Sequence, residues 1–340
     1  MPDRRICKKV EEVAAPYFQG TYKGSDAQAA GLIILAAMLL LPTLLPEKIG
    51  ILTSLVPLPV FYYFVNLGIK KGQVFIRNSI LLAAAGALLF GTLPMMLFSL
   101  TLVPLGIALS YGVFQRRSPA ATGFIGFLIL ALTWFIYWFC LAMLHQSNPY
   151  TTLLVELDKG LSSGLILYEE SAELAPETLE SVRKAVELLR DYIPKILPAL
   201  LISGLLSTAW LNLTLGNWLL RKKALALTPW PDYNEWKLPD PLAWLVVLSG
   251  AIFLLLPHPL STLGLNGLIV CSTVYFFQGL AIAASLLNRW SVPRFIRVLI
   301  YALIFIQTYG IIILSFLGLV DVWADFRKLN QVRDKRSSSA

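Results

Sequence analysis

The feature that most constrains this chain is a succession of long apolar runs, none of which carries an acidic residue near its middle. A helix needs roughly 20 predominantly apolar residues to cross a bilayer, and on that measure nine runs qualify. They are Ala29 to Leu45, Ile51 to Ile69, Val74 to Gly91, Leu93 to Phe114, Ala121 to Leu144, Ile193 to Leu220, Leu242 to Leu256, Leu263 to Leu287 and Arg294 to Val320. Lipid offers the backbone no hydrogen-bond partner, so such runs are expected to be helices. Pro42 in the first, Pro57 and Pro59 in the second, and Pro241 and Pro257 around the seventh make these three candidates for tilted or re-entrant pieces. Of 340 residues, 57% are hydrophobic and 14% charged, and the mean hydropathy of +0.69 lies outside the range of soluble domains.

The expected fold class is therefore all-α, a polytopic helical membrane protein of about nine transmembrane helices with an extracytoplasmic amphipathic insertion. That insertion is the stretch Asn148 to Tyr192, the one sustained polar run between apolar segments. Leu153, Leu157, Leu161 and Leu165 recur every fourth residue, with Asn148 placed as an N-cap before Pro149. A second helix is expected from Pro176, with Leu179, Val182, Val186, Leu189 and Ile193 as one apolar stripe. Glu180 with Lys184 and Arg183 with Glu187 are spaced to pair on its wet face. Such helices read as a cap on the bilayer or on neighbouring spans, as a lid over an entrance, or as a docking face.

The domain organisation that follows is a cytoplasmic N-terminal segment (1–28), a five-span bundle (29–144), the extracytoplasmic helices (145–192), four further spans (193–320) and a basic C-terminal tail (321–340). The polar N-terminus, with Arg4, Arg5, Lys8, Lys9 and Lys23, is too long for the n-region of a cleaved signal peptide. Lys70, Lys71, Arg77, Arg116, Arg117, the run Arg221 to Lys223, Arg289, Arg294 and Arg297 join it on one side if spans alternate, and that side is the cytoplasm. Nine spans would leave the tail outside, although it holds Arg327, Lys328, Arg333, Lys335 and Arg336. Two rules conflict there, and the span count is kept. Trp134, Tyr137, Trp138, Trp218, Trp230, Trp236 and Trp244 fall where interfacial anchors are expected.

The net charge of +8 sits in short loops, and no nucleic-acid-binding motif is present, so no nucleic-acid partner is expected. Cys7, Cys140 and Cys271 suggest neither a disulfide framework nor a CxxC pair. His145 and His258 are too few for a zinc site or a triad. A phosphate-binding glycine loop is absent, and Glu169, Glu170 and Glu173 read as a solvated face. No enzyme activity, catalytic residue, metal or cofactor is expected. What the spans hold instead is uncharged polarity: Gly204, Thr208, Asn212 and Gly216 at four-residue spacing, then Gly267, Cys271, Tyr275, Gly279 and Ala283, with Gln278 beside them and Gln307 in the last run. Such stripes serve close helix packing. The sharper alternative is a substrate pocket lined by Thr208, Asn212, Gln278 and Gln307.

The stretch from Gly318 to Lys328, the run Phe276 to Leu280, and Pro57-Leu58-Pro59 followed by Gly68 to Gly72 resemble the YybS-like family of bacterial membrane proteins, whose function is unknown. The Pro-Leu-Pro and Gly-Ile-Lys-Lys-Gly pattern is more distantly similar to the substrate-binding S components of energy-coupling-factor transporters. Those have six spans with both ends in the cytoplasm and dock a coupling subunit through an AxxxA stripe, of which Ala27 and Gly31 are a loose version. Three extra spans and the outward helices depart from that pattern. The resemblances imply a multi-pass protein of the bacterial cytoplasmic (inner) membrane with its N-terminus inside. They further imply a substrate-binding or transport component that relies on coupling or ATPase subunits for energy. The alternative is a non-transport envelope scaffold that docks an extracytoplasmic protein partner through its outward helices. In either case the lipid bilayer is the first partner.

Overall fold

The computed structural model describes residues 25–45, 50–170, 176–222 and 230–327, and their regular structure is helical throughout. The α-helices are α1 (Ser25–Leu44), α2 (Pro57–Leu89), α3 (Leu93–Leu100), α4 (Val103–Phe114), α5 (Pro119–His145), α6 (Pro149–Glu170), α7 (Pro176–Lys222), α8 (Ala243–Leu255), α9 (Leu260–Arg289), α10 (Arg294–Ile306) and α11 (Thr308–Ala324). Residues in the ranges Met1–Thr133, Leu205–Ala243 and Ser272–Ala340 form one compact unit, and Trp134–Gly204 with Trp244–Cys271 form a second.

The first unit is built on α1, α2 and α4, whose apolar faces bury Leu35, Leu39, Val60, Phe61, Phe64, Leu105 and Leu109. Gly68 sets its geometry. With φ 76° and ψ 172° it lies where a side chain is strongly disfavoured, and it breaks α2 into arms 57–67 and 69–89. The arms fold back on each other: a Cβ on Gly72 would lie 3.2 Å from the Cα of Phe64, and the Tyr63 and Phe75 rings are 4.7 Å apart. In a straight helix, residues eight apart are about 12 Å apart along the axis.

Fewer helices pass as spans than the nine runs suggested. Among the described residues five are long and apolar enough: Leu52–Leu89, Leu93–Phe114, Pro119–His145, Glu177–Lys222 and Leu260–Arg289. A sixth arises only if Arg294–Ile304 and Tyr309–Ala324, bent by 102°, count together. The first and seventh runs form shorter apolar helices, Gln28–Leu44 and Asp240–Leu255. The second and third runs are the two arms of α2. The fourth is interrupted between α3 and α4, where Pro104 has no N–H to give to the carbonyl of Leu100.

In the second unit, α6 and the start of α7 form an antiparallel hairpin held by pairs along its length. Arg183 meets Glu169 at 2.7 Å, Arg190 meets Asp158 at 2.7 Å and bonds Ser162, and the Tyr150 hydroxyl donates to the Pro194 carbonyl at 2.8 Å. Asn148 caps α6 as expected, accepting from the Tyr150 N–H at 2.9 Å, and Lys184 pairs with Glu180 at 2.7 Å. The expected Arg183–Glu187 pair gives way to Glu169, because α6 brings a carboxylate within reach. Val186 is buried, Val182 half-buried, and the four leucines of α6 are half-buried as well.

The same unit shows how α7 continues through Pro194 and Pro198. Pro198 has no N–H for the Pro194 carbonyl, and Tyr150 supplies a donor in its place. One residue on, the Asn266 carboxamide accepts from the Ala199 N–H at 2.9 Å and donates to the Lys195 carbonyl at 2.7 Å. Side chains from two other helices thus satisfy the loosened turn.

Candidate functional site

The polar residues of the first unit converge where α9, α11 and the segment 230–240 meet. Two glycines set the helix contact. A Cβ on Gly279 would run into the Leu314 carbonyl, and one on Gly318 into the Tyr275 carbonyl, so the backbones touch. Beside this crossing the Ser315 hydroxyl donates to the Ser272 carbonyl at 2.9 Å. At the same crossing Gln278 reaches Gly318 and Asp321.

Gln278 is buried at this junction and makes three bonds. Its Nε2 donates to the Gly318 carbonyl at 3.1 Å and to Asp321 Oδ2 at 3.2 Å, and its Oε1 accepts from the Leu238 N–H at 3.1 Å. Asp325, with φ 42°, ends α11 in the left-handed conformation and turns the chain over the helix end. The Phe326 N–H then donates to Asp321 Oδ1 at 3.0 Å, and Arg327 Nη2 lies 2.9 Å from Asp321 Oδ2. Both side chains of that pair are 1% exposed. A carboxylate at a helix C-terminus opposes the helix dipole, and the guanidinium offsets it. Arg327 Nη1 also donates to the carbonyls of Asn234 and Trp236, at 3.0 and 2.8 Å, while its buried Nε has no partner.

The segment 230–240 is tied down along its length. Trp230 is buried, donates its indole N–H to the Arg117 carbonyl at 2.6 Å and stacks near Phe61. Arg221 pairs with Asp232 at 3.0 Å. Tyr233 donates its hydroxyl to the Phe277 carbonyl, and Trp210 stacks on Phe277 with centroids 4.3 Å apart. Burial pushes the Tyr233 phenol well above its ordinary value; Tyr301 adds to this and Trp210 and Arg327 oppose it. Trp218 and Trp244 are exposed as interfacial anchors would be, but Trp230 is a buried packing residue, because the Arg117 carbonyl offers its N–H a partner.

The four residues singled out from the sequence have separate places. Asn212 is buried and donates to the carbonyls of Thr208 and Ser54, at 2.8 and 2.7 Å, so it joins Thr208 to the chain before α2. Its Oδ1 has no partner. Gln278 belongs to the junction just described. Gln307 is exposed at the break between α10 and α11. The structure thus joins Thr208 with Asn212, whereas Gln278 bonds Gly318, Asp321 and Leu238. Gly216 admits the Phe61 ring, whereas Gly204 has open space where a Cβ would be.

Asp321, Arg327, Tyr233 and Asn266 were not singled out. A lone acid one residue past an apolar run, followed six positions on by Arg, was the signal for the first two. Residues 321–327 lie against the segment that follows α7, because Arg327 is held by the carbonyls of 234 and 236. The remaining tail, like Cys7, Glu173, Lys223 and the basic N-terminus, lies outside the described residues.

Both oxygens of Asp321 and both ends of the Gln278 carboxamide are engaged, and Arg327 Nε is the one buried polar atom of these three side chains without a partner. The junction fixes structure at one end of the bundle. These features define an all-helical, multi-pass membrane protein. The chain belongs to the family described as "Predicted membrane protein (DUF2232)", whose model matches residues 32–322. No curated protein and no solved structure matches it.

Proposed function

We propose that the chain is a substrate-binding or transport component of the bacterial cytoplasmic membrane that draws its energy from other subunits. The observation that carries this reading is the Asp321–Arg327 pair. Among the described residues Asp321 is the one buried acid, and it is neutralised and fully bonded, which leaves no free carboxylate within the bundle to couple movement to protons or ions. Purification from native membranes tests it. A co-purified ATPase-bearing subunit or a bound small molecule supports the reading, and a lone chain without ligand contradicts it.

The sidedness that goes with this reading places the N-terminus, Arg117, the 230–240 segment and residue 327 in the cytoplasm, since the basic loops gather there. The α10–α11 pair then enters and leaves on one side. The α6–α7 hairpin faces outward.

A second reading, a scaffold that docks an extracytoplasmic protein, is favoured by the apolar residues the hairpin leaves uncovered, among them Leu167 at 69% and Leu188 at 60% exposure. Of the stripe, Val186 is buried and Val182 half-buried, while Leu189 is exposed. Replacing Leu167 and Leu188 by Ser abolishes a specific crosslink on this reading and leaves it intact on the first.

A further inference from the structure

One cavity of the first unit is unlike the polar junction. It has a volume of 290 Å³ and opens between the second arm of α2 and α4. Gln73, Ile76, Arg77 and Ile80 line it from one helix face, Val103 and Ile107 from the other, and Phe64 also lines it. Val103, Ile76 and Phe64 are buried, while Gln73 and Arg77 are exposed. The surface of the groove is apolar except at these two residues, so water has few partners in it.

Arg77 makes no ion pair or hydrogen bond among the described residues. It lies nine residues beyond the Gly68 turn, about 13 Å along the helix axis. Lys70 and Lys71, just after that turn, are exposed. An arginine on an apolar helix is costly unless its head reaches phosphate or water, and its long stem lets it do so. Its planar fork matches a phosphate in two parallel bonds, and Gln73 one turn away adds a neutral donor.

We propose that this groove binds one anionic phospholipid, with an acyl chain along Ile76, Ile80, Val103 and Ile107 and the phosphate on Arg77 and Gln73. The charge of Arg77 selects the headgroup, and the apolar lining selects a chain over a soluble anion. The site is independent of the transport reading, since it involves no residue of the junction.

The test is native mass spectrometry of the full chain, released from vesicles of equimolar phosphatidylglycerol and phosphatidylcholine. One phosphatidylglycerol is retained per chain in preference to phosphatidylcholine. Arg77→Gln lowers that retention about tenfold, the effect of losing a charge-assisted contact. Ile80→Trp, which fills the groove and keeps the charge, lowers it as well. Lys159→Gln, on the exposed face of α6, leaves it unchanged and so separates the site from the general attraction of a basic protein. Arg77 is exposed, so its replacement leaves the fold in place. Equal retention of both lipids, or parental retention in Arg77→Gln, overturns the proposal. So does displacement by soluble glycerol phosphate with no effect of Ile80→Trp, which would mean a site for a free anion.

Discussion

Asp321 and Arg327 form an ion pair of 2.9 Å in which both side chains are 1% exposed, six positions apart across the end of α11. The pair folds the chain back over its own helix and holds it against residues 234 and 236. Breaking a buried pair by removing one partner costs about 3–5 kcal/mol, because a charge is left uncompensated. Asp321→Asn and Arg327→Gln are each expected to lower the thermal midpoint in detergent markedly and to expose the C-terminal end to protease. The double variant loses less than the sum of the two, which a double-mutant cycle on the midpoints reads directly.

The glycines of the apolar runs separate into those that packing requires and those it does not. Gly318→Ala and Gly279→Ala force a methyl group against a backbone carbonyl, at a cost of about 1–3 kcal/mol. Gly68→Ala meets a similar cost, about 1–3 kcal/mol, from its backbone conformation. Gly204→Ala meets open space and gains up to about 1 kcal/mol of helix propensity. Thermal unfolding of the four variants should place Gly204→Ala apart from the others. A loss at Gly204 equal to that at Gly318 would contradict the packing described.

Tyr233 makes the fold sensitive to alkali. Its phenol is raised in the folded state by burial, so the folded chain holds the proton more tightly than the unfolded chain does. The stability linked to this group is complete below the ordinary tyrosine value of about 10 and is lost as pH rises above it. Tyr233→Phe gives up the bond to the Phe277 carbonyl, about 1 kcal/mol at neutral pH, and in return flattens the alkaline limb. Melting curves between neutral pH and alkali should converge for the two proteins.

Asn266 and Tyr150 support the proline-opened turn of α7. Asn266→Leu leaves the Ala199 N–H and the Lys195 carbonyl without these partners, at about 1–3 kcal/mol. Tyr150→Phe frees the Pro194 carbonyl at the water-exposed hairpin and costs less. Amide exchange at Ala199 is expected to quicken in Asn266→Leu and to stay unchanged in Tyr150→Phe.

Where periodicity and run length decide the outcome, the sequence was readable. The run Ala121 to Leu144 is α5, Leu263 to Leu287 is α9, and the polar island begins its helices at Pro149 and Pro176. Three features defied that reading. Gly68 turns α2 back through a conformation that no hydropathy pattern marks, and the chain breaks at Gln307 inside an apolar run. The junction of Gln278, Asp321 and Arg327 joins residues about forty to ninety positions apart through a Pro- and Trp-rich segment that has no helical period. The small-residue spacing marked close contacts at Gly216 and Gly279 but not the open space at Gly204, and uncharged polarity did not reveal which backbone groups Asn212 and Gln278 would satisfy.

The proposed sidedness puts the Asp321–Arg327 clamp, and with it the tail, on the same side of the membrane as the end of α7. Single cysteines at Lys222 and Ser338, in a background lacking the three native ones, are treated with an impermeant thiol reagent on intact cells and on inverted vesicles. Both sites are expected to react in inverted vesicles and neither in intact cells, while a cysteine at Glu180 behaves in the opposite way. Labelling of Lys222 and Ser338 from opposite sides would contradict the account.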